Sequence, residues 1–390
     1  MLNVLLNTDS LLDYHRTGIP LYTWHLFQQM VNNEQINSLY TFTGNRFVKY
    51  HPRQVIDQRT HTDLFFLFLQ KKIPGLRNLI HRLGAKTFEA YVKKKIFRDV
   101  IYHEPNFIVK PYDGHCVTTL HDLTCLRFPE FQPAERVSWF ERGLKKTLDQ
   151  SSHIISVSEF TRNEAIQYLG IDPQRITTVH HGVSDEFHPR EENEISNILT
   201  KYCLGYKQYI LSVSTLEPRK NLPNLIRGYL NLPATLRQKY PLVLAGAVGW
   251  KINDLLTTLK NNAANDIKLL GYVPQDDIPA LFSGAKAFSY LSTYEGFGLP
   301  VLEALASGVP VLTSANSAMA EFSAGQALLV NPLDVDAISE QFKQLLLEES
   351  LSSQAVIKSE FYREKFTWSR CIASTLAILK QASNNVTTRP

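Results

Sequence analysis

Short runs of consecutive apolar residues alternate along this chain with longer segments whose apolar positions recur every three to four residues. The runs read as buried strands and the longer segments as amphipathic helices. In the first half the runs fall at Val4–Leu6, Leu39–Phe42, Val100–Tyr102, Val117–Leu120, Ile154–Val157 and Thr177–Val179, with helical segments such as Leu21–Val31 and Ala134–Leu148 between them. In the second half they fall at Tyr209–Val213, Leu242–Ala245, Ile267–Leu270, Ala287–Leu291, Val309–Thr313 and Ala327–Leu329. Strand and helix alternating in this way build parallel sheets covered on both faces. Between the halves, "FHPREENEISNILTKYCLGYKQ" is polar, charged and poor in strand signal, so a linker is expected near residues 186–206. The expected architecture is α/β, with one parallel-sheet domain over residues 1–190, a second over 205–365, and a cleft between them. A helical pattern over Leu351–Ala382 ends the chain, and residues 366–390 are expected to pack back on the first domain.

Composition changes this picture little. With 390 residues, 44% apolar and 20% charged, the chain can bury two ordinary cores. A net charge of +4 is too small to make nucleic acid the main partner, but it suits anionic substrates or an anionic membrane surface. Cys116, Cys125, Cys203 and Cys371 are scattered without metal-like spacing, which points to a reduced, cytoplasmic protein. The N-terminus lacks the basic and long apolar regions of a signal peptide, and no run is long enough to span a bilayer, so neither export nor membrane insertion is expected. Residues 70–98 stand out, dense in Lys and Arg interleaved with Leu, Ile, Phe and Tyr. They read either as a solvated helix pair or, over 71–98, as a surface that rests on anionic lipid.

Candidate chemistry gathers at the carboxyl ends of the strands, where open parallel sheets bind ligands. In "YLSTYEGFGLPVLEALASGVPVLTS", Glu295 falls in the loop after a strand and Glu303 in the first turns of the following helix. Pro300 suits the first helical turn, and Gly308 suits the left-handed position past its end. Free N–H groups at that helix start can meet phosphate oxygens, and carboxylates can take the vicinal hydroxyls of a ribose (Glu303) and a second sugar (Glu295). Each acid alone also has an ordinary reading, Glu303 complementing the helix dipole and Glu295 merely solvated. Upstream, Glu217-Pro218-Arg219-Lys220-Asn221 places two adjacent cations after another strand. A nucleoside diphosphate gains negative charge as it leaves a sugar, and Arg with Lys can neutralise it in place of a metal. In the first half, His121 and Asp122 follow the Val117–Leu120 strand, and His103 is expected to follow another strand and face an acceptor. The Asp334-Val335-Asp336 triplet reads as a helix cap rather than a metal site, and there is no His cluster, P-loop or complete G-x-G-x-x-G.

The segments "HRTGIPLYT", "TLHDLTCLRFPE", "ISVSEFTRNEA", "VHHGVSDEFHP", "LSVSTLEPRKNL", "GYVPQDDIPALF" and "YEGFGLPVLEALASGVPVLTS" together resemble the retaining GT-B glycosyltransferases, in particular the mannosyltransferase-like group of glycosyltransferase family 4. That resemblance implies two Rossmann-like domains. It implies that Arg219 and Lys220 hold the donor diphosphate, Glu303 the ribose and Glu295 the transferred sugar. Backbone at Tyr272 and Val273 is implied to meet the nucleobase, and amides of Phe297, Gly298 and Leu299 the sugar or phosphate. His121 is implied beside the anomeric carbon and Gly18 near the phosphates, while His103 and Asp122 are expected toward the acceptor from their places near strand ends. No cofactor and no essential metal are implied. Two departures stand out: Pro20 and Leu21 replace residues of the family's glycine-rich first loop, and Ala320 replaces a Pro before Glu321. The implied activity moves a hexose, first of all mannose from GDP-mannose, to a lipid-linked surface glycan such as an O-antigen or capsule precursor. The enzyme is expected in the cytoplasm, at the inner face of the membrane. A UDP-, dTDP- or GDP-deoxyhexose donor is the nearest alternative, followed by a non-catalytic glycan-binding scaffold of the same fold.

Overall fold

In the computed structural model the described residues are 1–12, 18–44, 46–50, 86–94, 97, 99–252, 255, 257, 259 and 266–384. Strands β1 (Leu2–Asn7), β2 (Ile36–Thr43), β3 (Arg46–Tyr50), β4 (Ile101–Glu104), β5 (Cys116–Leu120), β6 (His153–Ser156) and β7 (Ile176–Thr178) form the first sheet. Its order is β3-β2-β1-β4-β5-β6-β7, parallel throughout except for β3, which runs antiparallel to β2. The second sheet takes β8 (Ile210–Val213), β9 (Leu242–Ala245), β10 (Ile267–Gly271), β11 (Ala287–Tyr290), β12 (Val311–Ser314) and β13 (Ala327–Val330), all parallel, in the order β10-β9-β8-β11-β12-β13. Strand β9 is buried at every residue and appears in the sequence as an unbroken apolar run, while β5, equally buried, includes Thr118, whose hydroxyl is satisfied by the Glu104 and Phe107 carbonyls.

In each sheet the winding reverses once, between β1 and β4 in the first and between β8 and β11 in the second. At such a point adjacent loops leave in opposite directions and open a crevice at the carboxyl edge. The loops after β8 and β11 therefore lie side by side, joined by a hydrogen bond from the Thr293 N–H to the Arg219 carbonyl (2.9 Å).

Three features depart from the pattern reading. The first is β3, a largely exposed, charged edge strand without an apolar run. Pairing with β2 through a turn at Gly44 holds it, and the Gly44 N–H donates to the Asp9 carboxylate (2.6 Å). The second is the expected linker, which contains a helix, Glu192–Lys201, opened by a capping box between Glu191 and Glu194. Its Ile195 and Leu199, four residues apart, are buried in the second-domain core, so the charge that suggests a linker belongs to the outer face alone. The third is the C-terminal pattern, which breaks into two helices, Glu349–Lys365 and Trp368–Asn384, and the second packs its Trp368, Ile372, Leu376 and Leu379 among Val4, Leu6, Tyr22 and Leu26 of the first domain. The chain crosses where Val183 N–H donates to the Phe366 carbonyl (2.9 Å).

Candidate functional site

The crevice of the second sheet is built from two loops. After β8 the chain makes one tight turn, Pro218–Lys220, and then Asn221 takes a left-handed conformation (φ 54°) before the helix Leu222–Leu230. Asn221 tolerates that backbone and anchors it, donating to the carbonyls of Leu291 (3.2 Å) and Pro332 (2.6 Å). Arg219 and Lys220 are thereby turned toward the loop after β11. The Arg219 guanidinium donates to Glu295 Oε2 (2.6 Å), to the Tyr294 carbonyl (3.0 Å), and from two nitrogens to Glu217 Oε1 (3.2 and 2.9 Å). Lys220 Nζ donates to Glu295 Oε1 and to the Tyr290 hydroxyl, both at 2.6 Å. Tyr290 in turn donates to Glu295 Oε1 (3.0 Å).

Two cations and two carboxylates thus share one buried network. Burial pushes the Glu295 carboxyl up, but Arg219 and Lys220 outweigh it and bring it down to about 2. Burial, followed by the neighbouring guanidinium, pulls the Lys220 ammonium down. Burial also opposes the charge on Arg219, yet Glu295, Asp122 and Glu217 more than compensate. Among the described residues, one guanidinium N–H and one ammonium N–H keep no protein acceptor, so each cation retains a donor for an incoming anion.

Glu303 is different. It lies on the helix Leu299–Ala306, is 9% exposed, and its carboxylate makes no hydrogen bond or ion pair with another described residue. Burial alone raises it to about 8. The same helix opens at Gly298 (φ 101°), and the N–H groups of Phe297, Gly298 and Leu299 donate to no other described residue. Helix starts of this kind present amide hydrogens and positive potential to anions. As expected, Pro300 lies in the first turn and Gly308 (φ 68°) just past the end.

The first domain presses against this loop. A Cβ on Gly296 would lie 1.6 Å from the His121 carbonyl oxygen and 2.9 Å from Asp122 Cβ, so only glycine allows the approach. His121 Nε2 donates to the Pro105 carbonyl (2.7 Å), which leaves Nδ1 as the acceptor nitrogen. Burial lowers the ring's affinity for a proton, against the pull of that carbonyl and of Asp122. Asp122 accepts from the Thr124 N–H (2.8 Å), and its charge reaches Arg219 across the cleft. Gly18 adopts φ 59° and starts the helix Ile19–Val31, whose Tyr22 ring meets His121 edge-on at 5.2 Å. Val273 is buried and Tyr272 exposed at the carboxyl end of β10.

One expectation does not hold. His103 lies inside β4 rather than after it, is fully enclosed, and has its ring next to Thr119 (3.5 Å). The strand runs two residues past the predicted end at Tyr102, so His103 projects from a face of the sheet that is covered by packing and is closed to an acceptor. Asp334 accepts from the Ala337 N–H (2.9 Å) and caps the helix Val335–Leu347, as read from the sequence. No group of three or more His, Cys, Asp or Glu side chains among the described residues is disposed to hold a metal. No helix among them is long and apolar enough to cross a membrane. The basic stretch 71–98 lies mostly outside the described residues.

Several participants were not identified from the sequence. Glu217 and Tyr290 complete the ion network, and Glu217 was visible only as the residue before the Pro-Arg-Lys turn. His181, buried against His121, Tyr22 and Phe297, adds a second imidazole to the cleft floor. Burial first, then the neighbouring histidines, holds it well below the usual range, so it is neutral.

Two family profiles match the chain: Glycosyltransferase Family 4 over residues 18–187 and Glycosyl transferases group 1 over residues 204–360. The chain is 34% identical to O-antigen chain mannosyltransferase B of Escherichia coli over 371 residues, 94% of this chain and 97% of that protein. It is 30% identical over 355 residues to the serotype-specific mannosyltransferase WbdA of Escherichia coli, covering 85% of this chain and 43% of that longer protein. Among solved structures, HepE of Anabaena in complex with UDP and glucose superposes with a TM-score of 0.70 at 14% identity, over 97% of this chain and all of that one.

Proposed function

The chain belongs to these glycosyltransferase families and carries their GT-B fold, and on that premise we propose that it transfers mannose from GDP-mannose to a growing O-antigen-type glycan, with retention at the anomeric carbon and without a metal. The mannosyl and O-antigen assignments draw on the names of the relatives that align over most of this chain. The observation that carries the reaction type is the Arg219–Lys220–Glu295 network at the switch point, together with a buried Glu303 that has no partner among the described residues.

The parts take complementary roles. The Glu303 carboxylate, unpaired among the described residues, accepts the ribose hydroxyls, and the amides of Phe297 to Leu299 face the phosphates. Backbone at Tyr272 and Val273 borders the base, and Gly18 lies toward the diphosphate. The spare donors of Arg219 and Lys220 take up the charge that develops on the diphosphate as its bond to C1 breaks, which supplies the stabilisation a metal otherwise gives. The sugar's hydroxyls meet Glu295 and the Nδ1 lone pair of His121, and Asp122 lies toward the acceptor. Both oxygens of Glu295 are already held by cations, which makes it a poor nucleophile and favours a front-face route. The acceptor oxygen bonds to C1 on the face the diphosphate leaves, and the hydroxyl proton passes to the departing phosphate oxygen. A lipid-linked acceptor places the enzyme at the cytoplasmic face of a membrane, where residues 71–98 are the candidate contact.

The nearest alternative is a UDP-sugar donor, since the HepE structure holds UDP and glucose. A thermal-shift series with GDP-mannose, UDP-glucose and dTDP-rhamnose separates the two. Stabilisation by GDP-mannose alone, together with GDP release on adding a mannosyl acceptor, is expected. Release should vanish in Arg219→Ala/Lys220→Ala. A shift with UDP-glucose only would replace the donor assignment, and unchanged release in the double variant would overturn the role of the cations.

A further inference from the structure

Glu295 is the middle residue of a three-residue segment whose two neighbours are held by the opposite domain. Tyr294 leaves the second sheet and buries its ring, 3% exposed, in a first-domain core cluster with Leu123, Phe140 and Ala165. Phe128 and Phe160 flank the ring at 5.1 and 6.1 Å. Its hydroxyl donates to Glu164 of the helix Glu159–Leu169 and accepts from the Leu123 N–H (3.1 Å). Glu164 also receives Arg127, so its two carboxylate oxygens are both engaged. On the other side of Glu295, the Gly296 carbonyl accepts from Ser158 Oγ (2.6 Å) and Thr161 Oγ1 (3.0 Å) at the start of that same helix. Meanwhile the Tyr294 carbonyl accepts from Arg219 (3.0 Å).

The helix Glu159–Leu169 therefore grips both flanks of the residue that neutralises Arg219 and Lys220, and one flank touches Arg219 directly. A second-domain loop that is also anchored in the first domain keeps its full set of contacts only while the domains are together. We propose that Tyr294 and Glu164 are positioning residues that couple domain closure to assembly of the Arg219–Glu295 site. The inference rests on that site being the sugar-nucleotide site, but the coupling itself can be read without substrate.

Tyr294→Phe and Glu164→Gln each remove one side of the anchor and keep its shape. Each should lower kcat with GDP-mannose and a mannosyl acceptor by roughly 10²-fold, the scale of a misplacement of about 1 Å. Binding of GDP alone, measured by calorimetry, should change by less than about threefold, since its proposed contacts other than Gly18 all lie in the second domain. The double variant should be no slower than the worse single variant, because both act through one contact. Hydrogen exchange over residues 290–298 should rise equally in both singles, with or without GDP. If Tyr294→Phe fails to fold, Ser158→Ala removes a hydroxyl from the Gly296 carbonyl and tests the same coupling by the same readouts. Unchanged exchange, multiplicative losses in the double variant, or a loss of GDP affinity that accounts for the whole fall in kcat would each overturn the proposal. If wild type turns over no GDP-mannose while exchange still responds as described, the coupling stands and the donor assignment fails.

Discussion

Glu295 and Glu303 lie eight positions apart and sit at opposite ends of the carboxylate range, near 2 and near 8. The difference is one of partners, not of burial, because both are enclosed and, among the described residues, only Glu295 touches cations. For Glu303 the sign of the linkage is negative. The folded chain keeps a proton up to about 8 that the unfolded chain loses near its ordinary 4.5, so stability falls as pH rises through that window. Glu295 works the other way: its stabilisation is present above the ordinary 4.5 and is lost as pH falls toward about 2. Glu303→Gln should consequently flatten the decline of Tm between pH 5 and 8, measured by scanning calorimetry, while weakening GDP binding. Because the ribose hydroxyls proposed to meet Glu303 favour the ionised acid, wild type should release a proton on binding GDP at pH 7. Titration in buffers of different ionisation enthalpy reads that release, and its persistence in Glu303→Gln would assign the proton elsewhere.

At the scale of elements, the start of the helix Leu299–Ala306 depends on one backbone conformation. Gly298 has φ 101°, and a Cβ there would meet Met319 Cγ at 2.4 Å. Gly298→Ala should cost about 1–3 kcal/mol through the strained conformation, with further loss from the Met319 clash. It should also weaken GDP binding, because the amides of Phe297 to Leu299, unpaired among the described residues, are proposed to face the phosphates; chemical denaturation and calorimetry measure the two effects. The helix was legible from Pro300 and Gly308, since proline and glycine mark local backbone needs that do not depend on distant residues. By contrast β3, an exposed edge with charges at Arg46 and Lys49, carries no periodicity and forms only because β2 lies beside it. His103 shows the same limit within a strand, where a boundary displaced by a residue or two decides whether a side chain faces a cleft or a core.

For the whole molecule, the C-terminal helix Trp368–Asn384 makes the first domain depend on the far end of the chain. Four of its buried side chains (Trp368, Ile372, Leu376 and Leu379) contribute about 1.5–3 kcal/mol each, a sum comparable with the margin of an entire domain. A chain ending at residue 366 should lose or sharply lower the first-domain melting transition while the second domain still melts cooperatively. Calorimetry with limited proteolysis would show it, and an unchanged first transition would mean the helix is dispensable. The interdomain contacts are equally remote, with Tyr294 and Glu164 separated by 130 positions. The sequence by itself determined every strand but β3, the parallel parts of both sheets, and the strand ends near which Arg219, Lys220, Glu295, Glu303 and His121 stand. Apolar runs, helical periodicity and turn residues express those features locally, and the switch-point rule then places the chemistry. Only the tertiary structure decided which charges are neutralised, that Glu303 has no partner among the described residues, and that Tyr294 is anchored across the cleft. Those outcomes depend on burial and on distances between residues far apart in the chain, which no local pattern encodes.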